Sequence, residues 1–240
     1  MGALGSWAAA VIIPAHNEAD SIAACLHSVL MSADCCPPAA TCWTVVVADT
    51  CSDATARIAR EILSDRGEVI ECEVASVGSA RRLGTSAALR HLHQHPIEAI
   101  WLANTDADTQ VPRDWLTQQL VYARRGFKAV AGTVAIGAVL QGGCDISAAL
   151  MADYQVNADG THSHVHGANL GVCADAYLDA GGWSDARLAE DHCLWHRLRA
   201  RMWALVASSS VCVHTSGRLQ GRAAGGFATT LGRKVESLCA

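Results

Sequence analysis

An α/β fold around a doubly wound, mostly parallel sheet is predicted by two features of this sequence. Short apolar runs alternate with segments whose apolar residues recur at helical spacing, and the connections between them are short. Repeated strand–helix units with short connections give parallel strands with helices on both faces. Ligands of such sheets sit outside the carboxyl ends of the strands, so the strand exits are where chemistry is expected.

The elements follow in order. Ala8 to Pro14 (AAAVIIP) is a buried strand, rich in apolar and β-branched residues. Asn17 is placed to cap the next helix, whose inward stripe is Ile22, Cys25, Leu26, Val29 and Leu30. Trp43 to Ala48 (WTVVVA) is a second strand. Ser52 or Asp53 caps a helix with the stripe Ile58, Ala59, Ile62 and Leu63. Val69 to Val74 is a third strand, and Ser79 to His95 a helix that Pro96 ends. Ile97 to Ala103 is a fourth strand. Pro112 opens a helix with Leu116 and Leu120 inward. Beyond Gly126 the pattern is mixed: strands near Ala129 to Val139 and Ala168 to Cys173, then a helix near Glu190 to Arg201. No linker or low-complexity block interrupts the chain. One domain is expected over residues 1–240, with a change of pattern near residue 125.

Composition narrows the classes. The chain has 240 residues, 51% hydrophobic and 17% charged, which is globular rather than disordered. A formal net charge of −5 is a poor basis for binding nucleic acid, whose affinity comes from neutralised phosphates. No apolar run reaches the length of a membrane span, and Met1 to Ala10 lacks a basic leader pattern. The 11 cysteines contain no C-x-x-C, and read as reduced thiols of a cytoplasmic protein, with peripheral membrane contact left open. Cys35 and Cys36 are adjacent, beside Pro37 and Pro38 in an expected loop.

Three strand exits carry polar, carboxylate-rich stretches: Ala15-His16-Asn17-Glu18, Asp49 to Asp53, and Asn104 to Thr109. In the third, Asp106-Ala107-Asp108 places two carboxylates where they could approach one divalent cation and a phosphorylated ligand. Mn²⁺ and Mg²⁺ favour oxygen donors of this kind. The same spacing also arises in solvated acidic turns. Glu190-Asp191 opens a helix, where carboxylates favour the positive end of the macrodipole; a general base is the functional alternative. Arg81, at a helix start in GSARRLG, suits a phosphate or a solvated helix face, as do Arg218 and Arg222 in the Gly-rich segment Thr215 to Gly226, which reads equally as a flap over a diphosphate or as an unstructured connection. His162, His164 and His166 would share one side of a strand, open to a metal, whereas His91, His93 and His95 diverge on a helix. There is no P-loop, dinucleotide-binding turn or nucleophile elbow.

In order along the chain, VIIPAHNE (11–18), VAD with SDAT (47–49 and 52–55), ARRLG (80–84), DAD (106–108), GANL (167–170), GGW (181–183) and ED (190–191) resemble the family 2 glycosyltransferases, which have a GT-A fold. The resemblance runs from about Ala8 to Ala200. It implies an inverting, hexosyltransferase-type enzyme that moves a sugar from a nucleoside-diphosphate sugar to a hydroxyl of a small or lipid-linked acceptor, with Mn²⁺ or Mg²⁺. It implies that Pro14, Ala15, Glu18 and Asp49 hold the nucleotide. Asp106 and Asp108 would face the sugar and metal, with Asp108 the direct ligand and His214 completing the metal site. Asp191 would be the base, with Glu190 beside it.

The chain departs from the family in two places. Ala48 stands where a second Asp is common, and Cys173-Ala174 replaces a common basic pair. No membrane helices follow, so a processive synthase is not expected. Two other readings compete. A nucleotidyltransferase would want a Gly-rich, basic loop after the first strand, and AHNE is neither. A non-catalytic nucleotide-sugar-binding relic would not need Asp106, Asp108 and Asp191 together.

Overall fold

The structure is a computed structural model that describes residues 7–38, 40–137, 139–141, 144–151, 154–185 and 189–217. The continuous apolar run AAAVIIPA forms β1 (Ala8–Ala15), buried along its whole length. It is followed by α1 (Ile22–Asp34), β2 (Thr41–Asp49), α2 (Thr55–Leu63), β3 (Gly67–Cys72), α3 (Val77–His91) and β4 (Ile100–Asn104). The short β5 (Thr109–Gln110) precedes α4 (Trp115–Arg124) and β6 (Ala129–Ile136). A hairpin of β7 (Leu140–Gln141) and β8 (Cys144–Asp145) then leads to α5 (Ser147–Leu150). The remaining elements are β9 (Leu170–Cys173), α6 (Ala174–Asp179), α7 (Glu190–Ala200) and β10 (Leu205–Thr215).

Eight strands form one sheet in the order β3-β2-β1-β4-β9-β6-β10-β5. The first four are mutually parallel, and β10 runs parallel to β6. β9 is antiparallel to both β4 and β6, and β5 is antiparallel to β10. Side chains alternate across a strand, so β1 feeds two cores. Val11 and Ile13 pack with Ile22, Leu26 and Val29 of α1, Leu63 of α2, and Trp115 and Leu120 of α4. Ala10 and Ile12 face the other way, toward Ala80 and Ala87 of α3, Tyr177 of α6, and Leu194 and Leu198 of α7. The sheet is therefore wound on both faces, as the alternating pattern predicts.

A buried amide ties the sheet together where its direction changes. Asn169 accepts the Trp115 indole N–H at 2.9 Å and donates to the carbonyls of Thr133 at 2.8 Å and Val211 at 3.0 Å. Gly132 makes room for it, since a Cβ there would overlap the amide.

Several boundaries differ from the sequence reading. Ser21, not Asn17, holds the N-cap position of α1. Asn17 instead adopts a left-handed φ of 53° and accepts the Ser52 N–H at 2.8 Å, pinning the first loop to the second. Ala54, not Ser52 or Asp53, holds the N-cap position of α2 and supplies no side-chain cap, though Asp53 Oδ1 accepts the Thr55 N–H at 3.0 Å. The third strand lies earlier than Val69 to Val74, because residues 74–76 are drawn off toward Asp49. α3 starts before Ser79, capped by the Ser76 hydroxyl, and ends at His91, before His95. The fourth strand begins at Ile100, after a single 3₁₀ turn at Ile97–Ala99. The strand from Ala129 ends at Ile136, short of Val139. β10 is a long strand the periodicity did not reveal.

Candidate active site

The strand exits meet at one end of the sheet, and each is locked by its neighbour. Asp49, at the end of β2, is buried. Its Oδ1 accepts the N–H groups of Val74 at 2.8 Å and Ala75 at 3.0 Å, and the Thr50 hydroxyl at 3.0 Å; its Oδ2 accepts the Ser76 N–H at 3.1 Å. This carboxylate folds the loop after β3 and leads it into α3. Glu18 is also buried; its backbone N–H donates to the Thr55 hydroxyl at 2.7 Å, and its Oε2 accepts the Ser21 hydroxyl at 2.6 Å. Pro14 and Ala15 end β1 in register with Val47 and Ala48. Asn17, Thr50 and Ala75, each just past one of the three strands, have φ of 53°, 53° and 49°. Left-handed backbone at non-glycine residues costs about 1–3 kcal/mol each and persists where surrounding bonds impose it.

Arg81 is the correction that matters most. Expected at a phosphate, it lies buried at 2% exposure in α3. Its Nη2 donates to Asp106 Oδ1 at 2.6 Å, and its Nη1 pairs with Glu190 Oε1. The guanidinium carbon lies 5.2 Å from the Trp183 ring centroid. Gly167 closes another side, since a Cβ there would overlap the guanidinium. Burial opposes the charge, but Asp106, Glu190 and Asp191 together hold the Arg81 pKa above its ordinary value. Arg81 is thus an internal counter-ion joining the exit of β4 to the start of α7. Two glycines at left-handed φ, Gly181 at 79° and Gly182 at 65°, make the turn that delivers Trp183 to it.

Glu190, expected beside the base, is buried and committed to Arg81, so Asp191 is the accessible carboxylate of the pair. Asp191 is half-buried; its Oδ2 accepts the Gly167 N–H at 2.8 Å and its Oδ1 the His192 N–H at 2.7 Å. The residue before α7, Ala189, is left-handed and supplies no side-chain cap.

Asp108 and His214 line one cleft of about 360 Å³ together with Asp20, Ser21, Ala24 and Gln110. The backbone explains the meeting. Thr109 and Gln110 of β5 pair with Thr215 and His214 of β10, and the Ser216 N–H donates to the Asp108 carbonyl at 3.2 Å. Asp106 is paired with Arg81 and is not among the residues that line this cleft. Among the described residues no three His, Cys, Asp or Glu side chains form a ready metal cage. A carboxylate and an imidazole on one open cleft nonetheless suit a divalent ion that keeps its other positions for water and phosphate oxygens. Arg218 and Arg222, with the expected flap from residue 218 onward, lie outside the described residues, while Thr215, its expected start, ends β10.

His162, His164 and His166 do not converge. His164 and His166 stack with Tyr154, at 3.9 Å and 5.7 Å between centroids, and His162 meets the ring of His164 at 5.8 Å. His166 also meets the Tyr154 hydroxyl at 3.1 Å. Sequence reasoning did not foresee Gly167, Trp183 and Tyr154 as parts of the site's frame. The GANL and GGW segments were the available signal for the first two; Tyr154 had none.

Among known proteins, the model of the family described as "Glycosyl transferase family 2" matches residues 10–140, more than half of the chain. No curated protein sequence matches it. The fold is similar to the TarS 1–349 fragment of S. aureus, solved in complex with UDP-GlcNAc, at a TM-score of 0.63 and 13% identity, covering 91% of this chain and 61% of that one. It is similar to a mannosyltransferase from Pyrobaculum calidifontis, solved in complex with GDP-Man and Mn²⁺, at a TM-score of 0.65 and 18% identity, covering 89% of this chain and 57% of that one. The chain thus spans about six tenths of the length of these structures. At such identities the likeness is one of fold, the GT-A sheet with its flanking helices.

Proposed function

Because this chain belongs to glycosyl transferase family 2, we propose that it moves a sugar from a nucleoside-diphosphate sugar to an acceptor hydroxyl, inverting the anomeric centre. The observation that carries this reading is the shared cleft of Asp108 and His214 beside the first turn of α1, with Asp191 held across the Arg81 ion pairs from Asp106. Pro14, Ala15 and Glu18 line the nucleoside, and Asp49 Oδ2 keeps a lone pair for a nucleobase N–H. The diphosphate sits by Ser21 and Ala24, where a helix N-terminus favours negative charge. Asp108 and His214 hold Mn²⁺ or Mg²⁺. That ion, when bound, neutralises the charge that grows on the departing diphosphate. Asp191 takes the proton of the acceptor hydroxyl as it attacks from the opposite face. A single displacement inverts the carbon, as in inverting hydrolysis with water in the acceptor's place.

The structural relatives support the donor class, one being a complex with UDP-GlcNAc and another with GDP-Man and Mn²⁺. Residues 1–125 serve the donor and 126–240 the acceptor, within one domain. Among the described residues no helix is long and apolar enough to cross a membrane, and Cys25, Cys35, Cys36, Cys42, Cys51, Cys72, Cys173, Cys193 and Cys212 are free thiols. We place the enzyme in the cytoplasm, acting on a small or lipid-linked acceptor through at most peripheral membrane contact.

The test is a melting screen of UDP, GDP, CDP and dTDP with Mn²⁺ or with EDTA. One of them at a hundredfold its Kd stabilises by about 2.7 kcal/mol. That gain should require the metal and vanish in Asp108→Ala and His214→Ala. Equal stabilisation in chelator would overturn the metal role, and no response to any nucleotide would overturn the donor class.

A further inference from the structure

A second cavity, of about 400 Å³, opens at the far end of α7 and plays no part in the chemistry above. It is lined by Trp195 and Arg199 of α7, Trp203 of the turn that follows, Leu205 and Ala207 of β10, and His162. Its walls are fixed. The Trp203 indole N–H donates to Asp179 at 2.9 Å, and Trp195 is buried in the core beneath. Residues 160–161 are pinned to β10 by the Ser209 N–H on the Gly160 carbonyl at 2.9 Å and by the bridge of Thr161 to Ser208.

Two polar side chains of this pocket have bonding capacity left over. At the end of α7, Arg197 donates to the carbonyls of Ala180 and Gly182, and Arg201 pairs with Asp179. The guanidinium of Arg199, between them, forms no ion pair among the described residues. Both ring nitrogens of His162 are buried, and neither makes a hydrogen bond with a described residue. Buried polar atoms are normally bonded, so an exception in a cavity wall marks a place that a bound polar group completes. Burial and the neighbouring His164 lower the His162 pKa, which keeps the ring neutral, with one donor and one acceptor.

Two rows of residues join the pocket to Asp191. Asp191, Trp195 and Arg199 recur every four residues and so share one face of α7, with Arg199 about 12 Å along the axis from Asp191. In the other row the His162 ring lies 5.8 Å from that of His164, which lies 6.1 Å from that of His166. Gly167 follows, and its N–H is held by Asp191. Both rows start at the carboxylate and end in the pocket.

We propose that this pocket receives the far end of the acceptor, a sugar ring bearing a carboxylate or phosphate, while the reacting hydroxyl lies at Asp191. This rests on the reading of Asp191 as the base. The indole faces suit the C–H face of a pyranose, and His162 and Arg199 are the few polar groups that orient it. A guanidinium grips a carboxylate or a phosphate with two parallel N–H bonds. The distance from Asp191 to Arg199 exceeds one sugar ring, so the acceptor carries its charge on a ring beyond the one that reacts.

The test is a titration of the isotope-labelled full chain by NMR, followed at the Trp195 and Trp203 indole N–H groups and at the Gly167 amide. Glucuronyl-xylose supplies a carboxylate and maltose-1-phosphate a phosphate; maltose and inorganic phosphate are the controls. The charged disaccharides should move all three signals and leave the core indoles of Trp101 and Trp115 in place, and the tighter of the two identifies the anion. Maltose should bind about tenfold more weakly, and Arg199→Gln, at an exposed position, should weaken the charged disaccharide by about tenfold. No movement with any probe would overturn the proposal. Maltose binding as tightly as the charged disaccharides would overturn the anion, and inorganic phosphate doing so would overturn the ring. Movement of the indoles without Gly167 would overturn the pocket's role in holding the acceptor. None of these readouts needs a nucleotide or a metal, so a failure of the donor reading is told apart from a failure here.

Discussion

Asp191 Oδ2 accepts the backbone N–H of Gly167 at 2.8 Å, which ties the first turn of α7 to the segment entering β9. The bond holds the carboxylate in one orientation and leaves it half-exposed. A bond that orients a carboxylate and a charge that removes a proton are separable by substitution.

Asp191→Asn keeps an oxygen for the Gly167 N–H and loses the base. Its melting temperature and its affinity for the nucleoside diphosphate should stay near wild type. Transfer, or donor hydrolysis before an acceptor is known, should fall by about 10²–10⁴ in kcat. Wild-type turnover in a folded, donor-binding Asn variant would rule out the role.

Arg81→Met removes the cation between Asp106 and Glu190. Glu190 is then left buried without its counter-ion, and breaking such a pair costs about 3–5 kcal/mol. Urea unfolding should show a loss of that size, and Arg81→Lys, which keeps the charge but not the fork, an intermediate one. A loss below about 1 kcal/mol would mean that the pair is exposed to water in solution.

Burial brings the His166 imidazole down to about 4, against the pull of the Asp191 carboxylate. The folded chain therefore keeps the ring neutral, whereas the unfolded chain protonates it below about 6.5. The stability this supplies is complete above about 6.5 and is lost as pH falls toward 4, by roughly 3 kcal/mol over the span. Wild type and His166→Asn should be unfolded in urea at about pH 7.5 and about pH 5. The wild-type advantage should shrink at the lower pH; a gap independent of pH would refute the shift.

Asp49→Ala strands the N–H groups of Val74, Ala75 and Ser76. Unfolding should cost about 1–3 kcal/mol more stability than an exposed Asp→Ala change, and amide exchange at residues 74–76 should quicken. Nucleotide affinity should weaken as well. Unaltered exchange in the loop would show that water replaces the carboxylate there.

The parallel half of the fold was legible because β1 is an uninterrupted apolar run, β2 carries another at Val45–Ala48, and α1 shows its stripe plainly. β10 was hidden by Ser208, Ser209 and Ser210, which break the apolar pattern across a shift in register between Ala207 and Cys212. At the site, types and positions were readable but partners were not. Arg81 looked like a phosphate ligand because it lies near the start of a helix, where backbone N–H groups suit an anion. Only the fold reveals that Asp106 and Glu190, far apart in sequence, enclose it. Asn17 was misread for the same reason, its partner Ser52 lying on the next loop.

The last long strand of the sheet has a consequence for association between molecules. β5 covers β10 only at His214 and Thr215, and Thr161 bridges to Ser208 farther back. Among the described residues the rest of that border has no neighbouring strand. A straight apolar border of this length would be a template for a foreign chain. Here the serines and the break in register deny it an even ladder, and the Ser208 and Ser210 hydroxyls are turned onto Tyr122 at 2.8 and 2.9 Å. The polar interruption that hid the strand from view also makes that border a poor template for a foreign chain.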